Sequence, residues 1–317
     1  MKKRADFNFV WLFAIIAGTA ILILMIYAAI KTGTVITKFQ DTDLAKQLAV
    51  FTEPMQAGSA DALKGTIKSK REIVIENFCN DYEFGYNEIS AMFKRDLNEE
   101  FNVLGESIIV KNKYLFTSSS PSKEFYVFSV PIEFAFKVSD VIIIGSEEYC
   151  FLEGYENLEG FENTIRIIGE KAKFGLDNCS EDSIKVCFDY GSNCDIVIRG
   201  NCDEHICENY YETGVVEKDG ERIEYVGNLL YPAIFSTKEI YECNLKRILY
   251  RNHLLSSIYL EKEKLMDSRG CSSELTHDLI FLKESSFERN LERLKELYLE
   301  SKLIKEKEEK QNCRLWS

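Results

Sequence analysis

Between Asp6 and Ile30 the sequence DFNFVWLFAIIAGTAILILMIYAAI carries no charged side chain after its first residue. At ~1.5 Å rise per residue, a helix over this stretch spans roughly 30 Å, the thickness of a bilayer's hydrocarbon layer. A helix buried in a soluble core normally keeps a polar stripe at helical spacing, and none is present here. Lys2, Lys3 and Arg4 stand immediately before the segment, and the far flank reads KTGTVITK. Basic residues collect on the cytoplasmic side, which puts the N-terminus inside and the remainder outside. Trp11 and Tyr27 sit near the two ends, where amphipathic rings suit the interfaces. The run exceeds the ~7–15-residue apolar core of a cleaved secretory signal, so the helix is expected to persist as an anchor. Residues 1–36 are thus predicted to be a cytoplasmic tip and transmembrane helix in contact with the lipid bilayer.

Charge then limits what the outer part can bind. Removing Lys2, Lys3, Arg4, Lys31, Lys38 and Asp6 from the 39 basic and 52 acidic residues leaves 34 against 51. A domain this acidic repels phosphate backbones, which excludes nucleic acid as a partner class. Four prolines, no low-complexity tract and abundant Leu, Ile, Val and Phe indicate a folded chain.

Residues 37–60 read as a juxtamembrane helix and linker: Gln40 to Asp43 offers caps, Leu44, Leu48 and Phe51 follow at helical spacing, and Pro54 and Gly58 end it. Residues 61–235 change to short β-type runs at Glu72 to Ile75, Ser107 to Val110, Lys113 to Phe116, Phe125 to Val130, Ile132 to Val138 and Val141 to Ile144. The alternation in EFYVFSVPIEFAFKV predicts a half-buried strand bent at Pro131. Tyr155 to Lys171 has apolar residues at spacings of three and four and predicts one helix. Ile184 to Asp189 and Asp195 to Arg199 predict strands, and GVVEKDGERIEYVG a hairpin turning at Asp219 and Gly220.

Residues 236–317 are predicted to form a helical hairpin. Ile240, Ile248, Leu249, Leu255, Ile258, Tyr259, Leu265 and Met266 share one broad face before Gly270. A second helical region starts at Ser272 or Ser273, can bend near Ser285, and carries Phe287, Leu291, Leu294, Leu297 and Tyr298. The KEKEEK run after Ile304 lacks an apolar seam and reads as a solvated end. The fold class is α+β: an N-terminal transmembrane helix, a mixed and mostly antiparallel β ectodomain, and a long C-terminal helical hairpin.

Ten cysteines, Cys79, Cys150, Cys179, Cys187, Cys194, Cys202, Cys207, Cys243, Cys271 and Cys313, all lie on the side that the charge rule places outside, so disulfides are the expected state. At the helical end two pairings stay open. A second helix running straight brings Cys313 to Cys243, whereas one folding back near Ser285 brings it to Cys271. Cys202, His205 and Cys207 are close together, but the chain has no CxxC pair of the kind structural zinc sites and thioredoxin-like redox sites use. No metal or other cofactor is expected.

The sequence carries no HExxH, GxSxG, phosphate loop or EF-hand loop. His253 and His277 read as ordinary helix residues. Acid pairs such as Glu147 with Glu148 and Glu99 with Glu100 point apart on a strand and serve solubility. The Asn201 to His205 segment holds too few identifiable oxygens for a calcium site. Asn178 opens the only N-x-S/T sequon and is a candidate glycosylation site, with Cys179 at its centre.

The start Lys3, Arg4, Ala5, Asp6, Phe7, running straight into the apolar stretch, resembles the class III signal of archaeal type IV pilin-like proteins. That resemblance implies cleavage between Ala5 and Asp6 with the helix retained as an assembly stalk. The sequence has Val10 where pilins carry Glu, and an uncut signal anchor is the competing expectation. RADFNFVWLFAIIAG, LAKQLAVFTEPMQAG, GNLLYPAIFSTKEIYECNLKRILYR, SRGCSSEL and the terminal NCRLW together resemble a family of uncharacterised membrane-anchored archaeal proteins, which implies a cell-surface location and supplies no activity. The expected function is that of a non-enzymatic extracytoplasmic protein, either a pilin-like subunit or an anchored structural and interaction module. It would meet a protein partner, or itself, through the transmembrane helix, where Ala14 and Gly18 form a small-xxx-small pair, or through the helical hairpin. The competing classes are a membrane-tethered enzyme or receptor with a site assembled from distant residues, and a subunit of a larger membrane complex.

Overall fold

The computed structural model describes residues 17–27 and 64–316, less 95–100, 106, 119, 153, 159, 190–192 and 202–210. The juxtamembrane helix, Ala5 and Asp6, Ala14, Glu99 and Glu100, and Cys202 to Cys207 with His205 lie outside the described residues. Helix α1 covers residues 17–27, and its apolar side chains from Ile21 to Tyr27 are all 51–69% exposed. Among the described residues no helix is long and apolar enough to cross a membrane.

Sheet 1 is organised by one long strand, β1 (Lys64–Asn80). Its first half pairs antiparallel with β6 (Ser122–Glu133), its register breaks between Lys68 and Ile73, and its second half pairs with β2 (Tyr86–Lys94). Strands β3 (Phe101–Leu104) and β4 (Ile108–Lys111) extend from β2, while β7 (Lys137–Gly145) and β5 (Leu115–Thr117) extend from β6. The break lets one wing fold over the other. Ile75, Ile89, Ala91 and Phe93 then share a core with Phe125, Val127, Ile142 and Ile144. The opposite face of the same two strands, Tyr126, Phe128, Val130, Val141 and Ile143, joins the larger core.

This corrects the half-buried strand: β6 is covered on both sides, and its period of two separates two buried faces rather than a dry one from a wet one. Strand β6 continues through Pro131, and its register with β7 shifts between Ile132 and Glu133. It runs on to Glu133 and reverses at Phe134 to Phe136. Pro131 lies beyond the last described pairing with β1, Lys64 with Phe128, so its missing N–H costs that ladder nothing.

Sheet 2 is mixed, in the order β13-β12-β11-β10-β8-β9. Strands β8 (Tyr149–Phe151), β9 (Ala172–Phe174), β10 (Ile184–Phe188) and β11 (Ile196–Gly200) are parallel neighbours, followed by antiparallel β12 (Thr213–Lys218) and β13 (Glu221–Val226). Asp219 (φ 53°) and Gly220 (φ 75°) form the two-residue turn between β12 and β13, both in the left-handed region that such hairpins require. The single helix expected over 155–171 is instead a short α2 (Phe161–Ile165) between two 3-10 turns, interrupted by Gly160 (φ 74°) and Gly169 (φ 65°).

The larger core lies between the sheets and a helical layer. Every residue of α3 (Leu230–Phe235) is buried, and Phe235 packs edge-on against Tyr149 at 4.6 Å and Phe128 at 5.5 Å between ring centroids. Thr237 then caps α4 (Lys238–Asp267), its hydroxyl accepting from Ile240 N. Helix α5 (Thr276–Glu288) runs antiparallel to α4: Asn252 donates to Ser286 Oγ at 2.8 Å, and Glu263 accepts from Ser273, Leu275 N and Thr276. The chain turns at Arg289 (φ 51°), not at Ser285, because Ser286 is buried in the α4 contact and the helix continues past it. Asn290 caps the next turn, and α6 (Leu294–Glu309) packs back along α5.

Three residues of the expected apolar stripes, Ile258, Leu265 and Phe287, are exposed. The KEKEEK run continues α6 and is solvated at Glu306, Lys307, Glu309 and Lys310, but its Glu308 is buried, accepting from Leu315 N at 2.7 Å and Trp316 N at 3.2 Å. The terminal segment thus docks against the helices.

Candidate functional site

At the first turns of α4 a guanidinium is buried without a carboxylate. Arg247 is fully inaccessible; its Nε donates to Phe84 O at 2.8 Å, one terminal nitrogen to Lys113 O at 3.0 Å, and the other to Asn244 Oδ1 at 2.6 Å and to Asn87 Oδ1. Asn77, Asn87 and Asn244 in turn all donate to Leu115 O. Burial pulls the Arg247 pKa down to about 10, with Tyr114 opposing the shift. The network fastens the β1–β2 turn and the β4–β5 turn to α4. Gly85 (φ 54°) has no room for a side chain, since a Cβ there would stand 1.8 Å from Asn80 O and 3.0 Å from Arg247 Nε.

Those two turns form one end of a groove of about 1080 Å³. Phe84 and Asn112 come from the turns, Lys137 to Asp140 from the start of β7, and Arg251, Leu254, Leu255 and Ile258 from one face of α4 at the i, i+3, i+4, i+7 spacing. Phe84 and Ile258 are 42% and 61% exposed and present an apolar surface to solvent. Lys137 is paired with Asp140 at 2.9 Å. Arg251 has no carboxylate partner among the described residues, and its Nε is buried without an acceptor. Both Arg247 and Arg251 face Tyr114, whose hydroxyl pKa is raised by burial and drawn back by the two cations.

A second cavity, of about 480 Å³, is lined by Ser118, Glu147, Tyr149, Lys218 and Asp219 among others. Lys218 Nζ donates to Ala233 O at 2.7 Å, Ile234 O at 3.0 Å and Ser236 O, which makes it the cap of α3's C-terminus. Burial lowers its pKa to about 8. The unfolded chain, with an ordinary lysine, binds this proton more tightly between pH 8 and about 10.5, so stability should rise with pH across that window, by up to about 3 kcal/mol. Burial raises the pKa values of Tyr126, Tyr149 and Tyr241 well above 10. Above pH 10 the unfolded chain loses tyrosine protons that the fold retains, and stability should fall again. Urea midpoints from pH 7.5 to 11 should therefore peak near pH 10, and Lys218→Met should remove the rising limb.

The eight described cysteines form four disulfides: Cys79–Cys243, Cys150–Cys179, Cys187–Cys194 and Cys271–Cys313. Of the two pairings left open at the helical end, the structure takes Cys271 with Cys313 because the chain folds back after α5. Asn178 is exposed beside the Cys150–Cys179 bridge, with its side-chain amide donating to Phe174 O at 2.7 Å. His253 packs between α4 and α5 against Lys283 O, and His277 is exposed. Glu147 accepts from Ser118 and Ser146 N, and Glu148 from Ser180. Gly18 has open space around it on α1.

None of these residues lies in the groove, whose lining comes from segments distant in the sequence. Arg247 and Asn244 had one legible sign, polar side chains enclosed by Leu245, Ile248 and Leu249 on a helix's apolar face. Comparison with protein-family models, curated proteins and solved structures finds no match.

Proposed function

We propose that this chain is a membrane-anchored interaction module outside the cytoplasm that receives a segment of a protein partner in the groove between α4 and β7. The observation carrying this reading is the groove itself: a wide, open depression with exposed Phe84 and Ile258 and a polar rim, held in shape by the buried Arg247 network. Exposed apolar surface flanked by polar groups is what protein interaction sites present. The four disulfides support an oxidising compartment. The apolar character of residues 7–30 and the exposure of α1 support the bilayer anchor, and the basic start supports inward orientation of the N-terminus.

The resemblance to pilin-like signals extends the proposal to a surface-assembly subunit cut between Ala5 and Asp6. A second reading, a tethered enzyme or small-ligand receptor, is favoured by Lys218 and its lowered pKa beside the smaller cavity. The three carbonyl bonds of its ammonium weigh toward capping. Photo-crosslinking in intact membranes tests the interaction reading. With Ile258→p-benzoylphenylalanine a discrete polypeptide adduct is expected, and with the same group at exposed Leu176, remote from the groove, none. Equal labelling at both positions, or none at 258, overturns the reading. Thiols that alkylate without reduction overturn the extracytoplasmic placement.

A further inference from the structure

Resting on the interaction reading, we propose that the groove recognises the free C-terminal carboxylate of a polypeptide ending in an apolar residue. Arg251 would take the carboxylate, and Phe84, Leu254, Leu255 and Ile258 the terminal side chain. The groove's three charges decide the polarity of the occupant. Lys137 and Asp140 neutralise each other at 2.9 Å, which leaves Arg251 as the one charge of the groove without a carboxylate partner among the described residues. Arg251 is half-buried and lines the groove, its Nε–H enclosed, so the contact falls to the terminal N–H groups of the guanidinium, donors that a carboxylate accepts from.

The chain as a whole is acidic, at -13, so no long-range field draws an anion to it. Recognition must come from this short-range contact inside an otherwise apolar depression. The other linings separate a peptide from an acyl chain. Asn112, Ser139 and Ser257 are interleaved with the apolar residues along an open groove. Ser139 and Ser257 donate to the carbonyls of Asp140 and His253, and their hydroxyl oxygens remain as acceptors that a peptide's N–H groups can use and a hydrocarbon tail cannot.

Fluorescence anisotropy with the full chain in nanodiscs tests this. The probes are a fluorescein-labelled pentapeptide Gly-Ser-Gly-Phe-Leu with a free carboxylate, its C-terminal amide, and decanoate as an unlabelled competitor. The acid is expected to bind at least ten-fold more tightly than the amide. Arg251→Gln should bring the two to equal affinity, and Ile258→Glu, an exposed change that sets a negative charge beside the carboxylate, should weaken the acid at least ten-fold. Equal binding of acid and amide by the unmodified chain, or displacement by decanoate at lower concentration than by the unlabelled peptide, overturns the proposal. If neither peptide binds while the crosslink at position 258 persists, carboxylate recognition fails and the interaction reading stands.

Discussion

Replacing Arg247 by leucine should lower the unfolding free energy by about 3–5 kcal/mol, the cost of leaving several buried acceptors without a donor once relaxation has recovered part of it. For a fold of this size that corresponds to a fall of roughly 10 °C in the thermal midpoint, read by calorimetry with the disulfides intact. The loss follows from what stays behind. Phe84 O, Lys113 O, Asn87 Oδ1 and Asn244 Oδ1 all accept from the guanidinium, and leucine offers none of them a donor. Each unsatisfied buried acceptor costs of order 1–3 kcal/mol before relaxation. Arg247→Lys should recover little, because three donors on one nitrogen cannot reach acceptors spread over two turns and two side chains. The leucine variant should also raise amide exchange in the turns at 81–85 and 112–114 before the rest of sheet 1, since those turns hang on this side chain. A change below about 1 kcal/mol would show that water or neighbouring donors replace it, and would remove the network as the support of the groove.

The same residue marks where sequence reasoning stops. The strands at 184–189 and 195–199, the hairpin at Asp219 and Gly220 and the helical C-terminal region are local features, written in periodicity and turn chemistry, and they appear within a few residues of the expected bounds. In 155–171 the apolar spacing of three and four predicts one helix, and the breaks fall at Gly160 and Gly169, whose positive φ no helix interior accommodates. The burial of β6 on both faces depends on β1 folding the sheet over, which no window of β6 contains. Glu308 reads as a solvated helix charge because helical surfaces are full of such residues, and the sequence around Arg247 does not contain the groups that it meets. Their acceptors and donors arrive from Phe84 and Lys113, more than 130 residues away, and from the terminal Leu315 and Trp316. Phe84, Asn112, Lys137 and Arg251 likewise meet only after sheet 1 has closed against α4.

Of the four described disulfides, Cys79–Cys243 should matter most. It closes 164 residues, against 42 for Cys271–Cys313, 29 for Cys150–Cys179 and 7 for Cys187–Cys194. Chain-entropy estimates give about 5 kcal/mol for the longest loop and about 2.4 kcal/mol for the shortest. Paired alanine variants, one per bridge, should therefore lose stability in the order of loop length, read from guanidinium midpoints at constant m. The longest bridge also joins the end of β1 to α4 one turn before Arg247, between the elements that the Arg247 network binds. Without it, those hydrogen bonds carry more of the hold of α4 on sheet 1 at this end, beside the packing of Tyr241 on Phe116 and the Lys246–Asp81 ion pair. Removing both should then cost more than the sum of the separate losses, by about 1–2 kcal/mol in a double-mutant cycle. Additive losses would mean that bridge and network secure the helix independently. An order unrelated to loop length would place the effect of the bridges in native packing instead of in the unfolded chain.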